Sequence, residues 1–242
     1  MSFTTRTEMV LGEEAIVKLS SARVAVFGLG GVGGAAMEAL VRAGVGELHL
    51  IDPDTFNESN LNRQILSSVD TLGKKKTDVA KARALAINPI IHVYTYPIFF
   101  LPDHESELPF DQFDFVIDAI DTLSAKVAIA LECKQRGIPM IACLGCGNRI
   151  NPSALKVTDL FKTEGDPLAK AMRKACREKG IDRLPVVFST EAPIPPLFKI
   201  ESDSPTRRDV PGSTPFVPPV AGYLLAQYAV MRLIGFDPNA RY

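Results

Sequence analysis

Apolar positions along the chain follow two alternating spacings, which predict alternating strands and helices. Short, compact apolar runs are typical of buried strands in a parallel sheet, and they occur at residues 23–27, 47–51, 91–96, 113–117 and 140–144. Between them, small and apolar residues recur at helical spacing and predict helices over residues 13–19, 32–43, 76–87 and 124–136. This alternation predicts an α/β fold: a Rossmann-like, open, mainly parallel sheet with helices on both faces.

The pattern changes after residue 145. Short apolar runs at residues 155–157 and 186–188 flank a charged helical segment at 167–179, which predicts mixed strands in an extension of the sheet. A longer apolar segment at 220–233 follows two prolines and predicts a buried terminal helix. Residues 200–215 have few side chains to bury, so we expect a mobile crossover loop there.

The composition narrows the class of protein. Hydrophobic residues make up 46% and charged residues 23% of the 242 residues, as in an ordinary globular protein. A formal charge of −1 argues against nucleic-acid binding through a global positive charge, but a local basic face stays open. Four cysteines are too few for a disulfide framework. With no apolar leader and no membrane-length apolar segment, we expect a cytoplasmic protein with no membrane partner.

A glycine-rich loop connects the first predicted strand to the next helix. Gly28, Gly30, Gly31 and Gly33 follow the pattern G-x-G-x-x-G. Such glycines let the backbone approach a phosphate, and the helix N-terminus adds free N–H groups. Asp52 ends the second strand, where a carboxylate can accept hydrogen bonds from ribose hydroxyls. The sequence therefore predicts a nucleotide site within residues 1–144, with a substrate-facing extension at 145–242 in the same domain.

The residues after Asp52 favour a triphosphate over NAD, which the glycine pattern alone would suggest. Arg63 and the lysines at 74–76 lie in the connection that overhangs the crevice of a doubly wound sheet. A triphosphate needs more cations than the two phosphates of NAD. Asp118 and Asp121 follow the fourth strand and face the same crevice, where carboxylate oxygens suit Mg²⁺.

These residues resemble the ThiF/MoeB/HesA superfamily, which is related to ubiquitin-activating enzymes. Within it, the chain is most similar to the tRNA threonylcarbamoyladenosine dehydratases, and the similarity covers nearly all residues. The segments that carry it are Gly-Leu-Gly-Gly-Val-Gly at 28–33, Asp-Pro-Asp at 52–54, Ser-Asn-Leu-Asn-Arg-Gln at 59–64, Val-Ile-Asp-Ala-Ile-Asp at 116–121, Val-Thr-Asp-Leu at 157–160 and Phe-Ser-Thr-Glu at 188–191.

The resemblance implies a role for each matching position. The glycine loop would bind ATP and Asp121 would hold Mg²⁺. The superfamily typically forms homodimers in which an N-terminal arginine reaches the partner's triphosphate, a position that Arg6 resembles. Residues implied to contact the nucleotide or act in catalysis are Arg6, Gly28, Gly30, Gly31, Gly33, Asp52, Asp54, Asn60, Arg63, Gln64, Lys76 and Asp121.

The implied reaction is ATP-dependent ring closure of the threonylcarbamoyl side chain on a tRNA adenosine. Its carboxylate would first be adenylated, because a carboxylate is otherwise a poor acyl donor, with oxide as its leaving group. Two alternatives stay open at this point: adenylation of the C-terminal glycine of a ubiquitin-like sulfur carrier, and a nucleotide-binding module or oxidoreductase that uses NAD. A sulfur-relay protein is a further partner that the resemblance leaves open.

Two other features bear on these alternatives. Cys143 and Cys146 form one C-x-x-C pair, whereas a zinc site of carrier-activating relatives needs two such pairs. We interpret the pair as buried apolar thiols, with a redox role as the alternative. Between residues 153 and 183 cations outnumber anions, so the helix predicted there could contact the tRNA phosphate backbone or be an ordinary solvated face.

Overall fold

The computed structural model describes residues 2–101, 107–198, 200 and 210–236. In these ranges the strands are β1 Arg23–Phe27, β2 Glu47–Ile51, β3 His92–Tyr96, β4 Phe115–Asp118, β5 Met140–Cys143, β6 Leu155–Asp159 and β7 Pro185–Ser189. The α-helices are α1 Thr5–Leu11, α2 Glu13–Ser21, α3 Gly33–Ala43, α4 Lys76–Ile87, α5 Leu123–Arg136, α6 Pro167–Glu178 and α7 Val217–Ile234. The predicted α/β fold class is confirmed.

The strands form one sheet in the order β3-β2-β1-β4-β5-β7-β6. Neighbouring strands are parallel except β6, which runs antiparallel to β7 at the edge. The chain builds outward from β1 to β3 and then returns to place β4 on the other side of β1. In doubly wound sheets, a ligand crevice lies at the carboxyl ends of the strands where the direction reverses. Here that reversal lies between β1 and β4.

Helices cover both faces of the sheet, as predicted. Along β1 the side chains alternate: Val24 and Val26 enter the apolar layer under α3, α4 and α7. Ala25 and Phe27 enter the opposite layer, which also contains the buried side chains of α5 and α6. The near-continuous apolar run of β1 follows from this, since a central parallel strand is buried on both faces.

The terminal helix α7 packs closely against α3, the helix that begins at the glycine loop. It starts at Val217, before the predicted residue 220, because Pro218 and Pro219 occupy the first turn, where a backbone N–H has no helical partner. Of the described helices, only α7 is long and apolar enough to cross a membrane, and half of it is buried inside the protein. We therefore describe α7 as a core helix.

The sequence predictions and the structure can be compared at two peripheral segments. The apolar pattern did not predict α1, because this helix buries none of its own residues and so has no apolar stripe. Of the predicted mobile loop at 200–215, residues 201–209 lie outside the described residues. Residues 210–215 are described and have neither helix nor strand structure.

Gly222 sets the distance between α7 and α3. A Cβ atom at this position would lie 2.2 Å from the carbonyl oxygen of Val32 and 2.9 Å from Cβ of Ala35. We expect Gly222→Ala to destabilise the protein by about 1–3 kcal/mol through overpacking, although alanine is the better helix former. Urea unfolding measures this change. A stability equal to or above wild type would contradict it, and Tyr223→Ala, at a half-exposed neighbour, serves as the control.

Candidate functional site

A crevice of about 1130 Å³ opens at the carboxyl ends of the central strands. It lies at the reversal point between β1 and β4, where the fold predicts a ligand site. Most of the residues singled out from the sequence line it; these are Gly28, Gly30, Gly31, Asp52, Asp54, Asn60, Arg63, Gln64, Lys76 and Asp121. Gly33 lies just behind this lining, and Arg6 lies elsewhere.

The glycines of the loop serve two different purposes. Gly28 has φ +86°, and a Cβ there would lie 2.8 Å from the carbonyl oxygen of Ala119, which follows β4. A Cβ on Gly33 would lie 1.7 Å from the carbonyl oxygen of Gly28. Gly30 is different, because its nearest neighbour would be the Gln64 amide nitrogen at an ordinary 3.8 Å. The fold itself requires Gly28 and Gly33, while the space in front of Gly30 belongs to the crevice.

Asp52 connects the end of β2 to the glycine loop. Its Oδ2 accepts a hydrogen bond from the Leu29 N–H at 2.6 Å, and its Oδ1 accepts one from the Asp54 N–H at 2.9 Å. Burial raises the pKa of this carboxyl, while nearby Lys76 and the two N–H donors oppose the rise. A carboxylate oxygen has room for a second hydrogen bond. Asp52 therefore fixes the loop and still presents acceptor positions to the crevice.

Lys76 is the first residue of α4 and its side chain is buried beside two carboxylates. Its Nζ donates to Asp54 Oδ2 at 2.8 Å and lies 3.8 Å from Asp52 Oδ1. The Asp54 side chain is 63% exposed, so it is the partner that a competing anion can displace. Lys76 thus lies at the crevice wall between a buried carboxylate, Asp52, and an exposed one, Asp54, which a ligand can replace.

A compact turn places residues 60–64 over the crevice. Asn60 Oδ1 accepts from the Asn57 N–H, and the Asn60 carbonyl accepts from the N–H groups of Arg63 and Gln64. Asn60 therefore shapes the turn that presents its neighbours. Gln64 is buried, and its Oε1 has no hydrogen-bond donor among the described residues. Because an unsatisfied buried acceptor costs stability, this oxygen suits a ligand that carries a donor.

Arg63 is half-buried and lines the crevice. Its Nη1 donates to the carbonyl oxygen of Ser59 at 2.8 Å and to Asn62 Oδ1 at 2.9 Å, both neutral acceptors. Within the described ranges, the ion pairs include no carboxylate partner for Arg63. Burial lowers its pKa, but a guanidinium stays charged at neutral pH. Arg63 is therefore a partly desolvated cation that an anionic ligand would stabilise.

Asp118, the last residue of β4, and Asp121, just after it, have separate environments, which corrects the expectation that both face the crevice. Asp118 is fully buried, and its Oδ2 lies 2.9 Å from the equally buried Nζ of Lys126. Lys126 also donates to the carbonyl oxygen of Ile120. Asp118 is a structural carboxylate, because its charge is already matched. Asp121 is exposed and lines the crevice, as expected.

A buried ion pair between the loop after β5 and the start of α6 was not predicted. Arg149 Nη2 lies 2.7 Å from Asp166 Oδ2, and the Arg149 guanidinium also donates to the carbonyl oxygens of Gly145 and Glu191. Asp166 Oδ1 caps α6 by accepting from the Ala169 N–H. The two charges are 17 residues apart and in different elements, so no local spacing could have revealed them.

Asn148 joins three segments that line the crevice. Its φ of +57° is in the left-handed region, which asparagine tolerates better than most residues. Its Oδ1 accepts from the Gly212 N–H, and its own N–H donates to the Gly212 carbonyl. Its carbonyl accepts from the Ile194 N–H at 2.7 Å. This residue closes the outer side of the crevice and was also missed by the sequence analysis.

Arg6 does not reach the crevice of its own chain. It lies exposed on α1, and Thr4 at the start of that segment lies beside Gly44, just before the amino end of β2. The crevice is at the opposite, carboxyl ends of the strands. A role for Arg6 in a nucleotide site therefore requires a second chain.

The charged helix α6 carries two classes of cation. Arg173 donates to the carbonyl and hydroxyl oxygens of Thr163, and Arg177 lies over the Phe161 ring at 5.3 Å. These two side chains hold α6 against its neighbours. Lys170 and Lys174 are exposed and one helical turn apart. Fewer cations of α6 are therefore available to bind a polyanion than the sequence alone suggests.

Comparison with known proteins identifies the family. The ThiF family model matches residues 4–242. The chain belongs to the ThiF family. A tRNA threonylcarbamoyladenosine dehydratase from Bacillus subtilis is 37% identical over 243 residues, which cover 95% of this chain and 94% of that protein. The protein of the same name from Escherichia coli is 33% identical over 246 residues, which cover 94% and 92%.

Solved structures of ThiF-like proteins match the fold closely. The E. coli tRNA N6-threonylcarbamoyladenosine dehydratase in complex with ATP has a TM-score of 0.87 and 32% identity, with 98% of this chain and 95% of that chain covered. Its complex with AMP has a TM-score of 0.86. An adenylyltransferase and sulfurtransferase from Vanderwaltozyma polyspora is 33% identical over 65% of this chain and 35% of its own length. The two dehydratases thus match this chain over far more of their length than this adenylyltransferase and sulfurtransferase does.

The Asp118–Lys126 pair gives a prediction about stability. Burial raises the pKa of Asp118, and the Lys126 ammonium opposes that rise. Lys126→Met would leave a buried carboxylate without its cation, and we expect a loss of about 3–5 kcal/mol at pH 7. With the folded-state pKa raised above the unfolded value, the variant gains stability relative to wild type as the pH falls, because protonated Asp118 is compatible with burial.

Urea unfolding at pH 7 and pH 5 measures this difference. Asp118→Asn combined with Lys126→Met is the matched control, since it removes both charges and should be less destabilised and less sensitive to pH. An equal loss for Lys126→Met at both pH values would contradict the prediction.

Proposed function

We propose that this protein catalyses the ATP-dependent dehydration of threonylcarbamoyladenosine in tRNA, which closes a ring in the threonylcarbamoyl side chain. One observation carries the proposal from the structure: the crevice at the reversal point holds a half-buried arginine, Arg63, whose described hydrogen-bond acceptors are neutral. Full-length similarity to dehydratases, one of them solved with ATP, supports the same function.

The glycine loop and its helix would bind the phosphates of ATP nearest the nucleoside. Gly30 has open space where a Cβ would be, and the N-terminus of α3 supplies free N–H groups and a partial positive charge. Asp52 would accept from a ribose hydroxyl with the acceptor positions that Leu29 and Asp54 leave. A hydroxyl of the nucleotide would likewise satisfy the buried Gln64 Oε1.

Arg63 and Lys76 would bind the outer phosphates. Arg63 offers a charge that the described residues do not neutralise, and a bidentate guanidinium suits phosphate oxygens. Lys76 would exchange its exposed partner Asp54 for a phosphate oxygen while Asp52 keeps the ammonium in place. Asn60 would act through the turn that it shapes. These charges would stabilise the pyrophosphate as it leaves.

We propose Asp121 as the carboxylate that holds Mg²⁺. Mg²⁺ is usually bound by one or two carboxylates together with substrate phosphates, and across the described ranges no group of three His, Cys, Asp or Glu residues forms a metal cage. Asp121 lines the crevice just after the end of β4, and this position supports its role as the Mg²⁺ carboxylate. When bound, Mg²⁺ would neutralise charge on the phosphate oxygens.

The chemistry follows from the weakness of a carboxylate as an acyl donor, since oxide is a poor leaving group. The substrate carboxylate attacks the α-phosphorus of ATP, pyrophosphate leaves, and a mixed anhydride with AMP forms. A second atom of the same side chain then attacks the activated carbonyl carbon and displaces AMP. The oxygen formally lost as water leaves with AMP. Because both reacting groups belong to the substrate, the protein contributes positioning and electrostatic stabilisation.

We propose that α6 contributes to tRNA binding. Its N-terminal residues Pro167 and Leu168 line the crevice, and its exposed lysines Lys170 and Lys174 extend from there along the surface. A tRNA with its modified base in the crevice would then have its backbone near these ammonium groups. Such contacts release counterions and make binding sensitive to salt.

We propose a homodimer in which Arg6 completes the partner's nucleotide site. Arg6 lies at the opposite ends of the strands from its own crevice. Phe3, Met9 and Val10 beside it are exposed large apolar residues, with Met9 82% exposed, and a second chain would bury them. We place the enzyme in the cytoplasm, where its tRNA substrate and reduced thiols occur together, and we keep a sulfur-relay protein as a proposed further partner.

Incubation with ATP, Mg²⁺ and modified tRNA tests the function directly. We expect the threonylcarbamoyl nucleoside to lose the mass of one water, with one AMP and one pyrophosphate formed per nucleoside. Mass spectrometry of the digested tRNA and chromatography of the nucleotides measure these products. Formation of a carrier-protein adenylate, with no change in the nucleoside, would contradict the proposal.

Variants of the crevice test the assigned roles in the same assay. We expect Arg63→Ala and Asp121→Ala to lower AMP formation by at least about 100-fold, because each removes charge stabilisation that acts in the transition state. Their melting temperatures should stay near wild type. Arg232→Ala, an exposed arginine on α7, is the control for loss of positive charge. Retained turnover in either crevice variant would remove that residue from the catalytic group.

Salt dependence tests the tRNA surface. We expect Lys170→Ala with Lys174→Ala to reduce the slope of log affinity against log salt by about one to two. Lys18→Ala with Lys81→Ala removes the same charge from α2 and α4, on the other face of the sheet, and is the matched control. Filter binding over a range of salt concentrations gives both slopes. Equal slopes for the two double variants would exclude α6 as a backbone contact.

A further inference from the structure

Two thiols lie close together at the crevice and have no part in the proposed reaction. Cys143 is the last residue of β5 and is buried, and Cys146 is half-buried in the loop that follows. Their sulfur atoms are 3.5 Å apart. Both residues line the crevice, together with the glycine loop on the other side of the reversal point. The pair therefore brings thiol chemistry to the wall of the candidate nucleotide site.

The two sulfurs have different electrostatic surroundings. Cys143 and Cys146 share a hydrogen bond that lowers the pKa of Cys146 and raises that of Cys143. Arg149 and Lys126 lower the pKa of Cys146 further, against the opposing effects of burial and of Asp166. A thiolate is the reactive form of cysteine. The lowered pKa and the greater exposure of Cys146 both favour it over Cys143 as the attacking thiol.

The other two cysteines provide an internal contrast. Cys133 and Cys176 are buried in the apolar layer of α5 and α6. Burial raises the pKa of both, that of Cys176 to about 11. Neither residue lines the crevice. The chain therefore has one pair of neighbouring thiols at the crevice and two separate thiols buried in the layer of α5 and α6.

We propose that Cys143 and Cys146 are a reversible disulfide site that controls the crevice. A peroxide is the oxidant class. The Cys146 thiolate attacks hydrogen peroxide, which gives a sulfenic acid and hydroxide. The Cys143 thiol then attacks that sulfur, and water leaves as the S–S bond forms. In total, two thiols and one peroxide give one disulfide and two waters. A dithiol reductant reverses the change by thiol–disulfide exchange.

We expect disulfide formation to alter the wall of the crevice that the two cysteines line. An S–S bond is about 2.05 Å long, so the two sulfurs must move together from 3.5 Å. Gly145 lies between them, and its carbonyl accepts from Arg149, which is paired with Asp166 at the start of α6. Any backbone shift at Gly145 would therefore act on the buried ion pair that holds this wall. Formation of the disulfide is independent of the proposed function, whereas its effect on ATP binding and turnover rests on it.

Peptide mass and nucleotide affinity test the inference on the wild-type protein. Trypsin cleavage after Arg136 and Arg149 releases one peptide that contains both Cys143 and Cys146 and neither other cysteine. After treatment with hydrogen peroxide, we expect this peptide to lose the mass of two hydrogens. We also expect the affinity for ATP to fall at least about five-fold, and dithiothreitol to restore both.

Variants identify the cause of the change in affinity. In Cys143→Ala and in Cys146→Ala, the affinity for ATP should be the same before and after peroxide treatment. Cys176→Ser should lose affinity on peroxide treatment as the wild type does. Absence of the disulfide peptide would overturn the inference, as would a disulfide that forms with no change in ATP affinity. A reduced protein that binds no ATP would refute the proposed function and the nucleotide effect, while the peptide mass alone would still decide whether the disulfide site exists.

Discussion

The close approach of Gly33 to Gly28 is the constraint on which the site depends. The start of α3 lies so near the end of β1 that a Cβ on Gly33 would be 1.7 Å from the Gly28 carbonyl oxygen. This proximity directs the helix N-terminus into the reversal point between β1 and β4. It also brings Gly28 against Ala119, so that the two strand ends share one crevice. Every other group at the site is positioned relative to this turn.

Charge matching divides the charged residues in and behind the crevice wall into two groups. Asp118 with Lys126 and Asp166 with Arg149 are buried pairs whose charges balance inside the protein. Such pairs are costly to separate and fix the walls. Arg63 belongs to the second group, because its described acceptors are neutral. The paired charges therefore hold the surrounding structure in place, and Arg63 remains as a cation that a polyanionic ligand could bind.

The sequence predicted the local structure well, since β1, β2 and α4 have the bounds that periodicity gave them. It also located the crevice, because glycines and a strand-end carboxylate are local signals with a fixed topological position. It did not reveal which charges are matched. Asp118 and Asp121 look alike in sequence, yet one is buried against Lys126 and the other lines the crevice. Long-range pairs such as Arg149 and Asp166 depend on the packing of separate elements, which no local pattern encodes.

The position of β1 has a consequence for how the chain is made. This strand is central in the sheet, yet its second neighbour β4 is synthesised only after β2 and β3 are complete. Until then, one edge of β1 carries unpaired backbone groups and an apolar surface. Pairings between distant segments also slow folding, and such open edges favour aggregation. A nascent chain in which β4 has not yet formed would therefore expose this edge of β1.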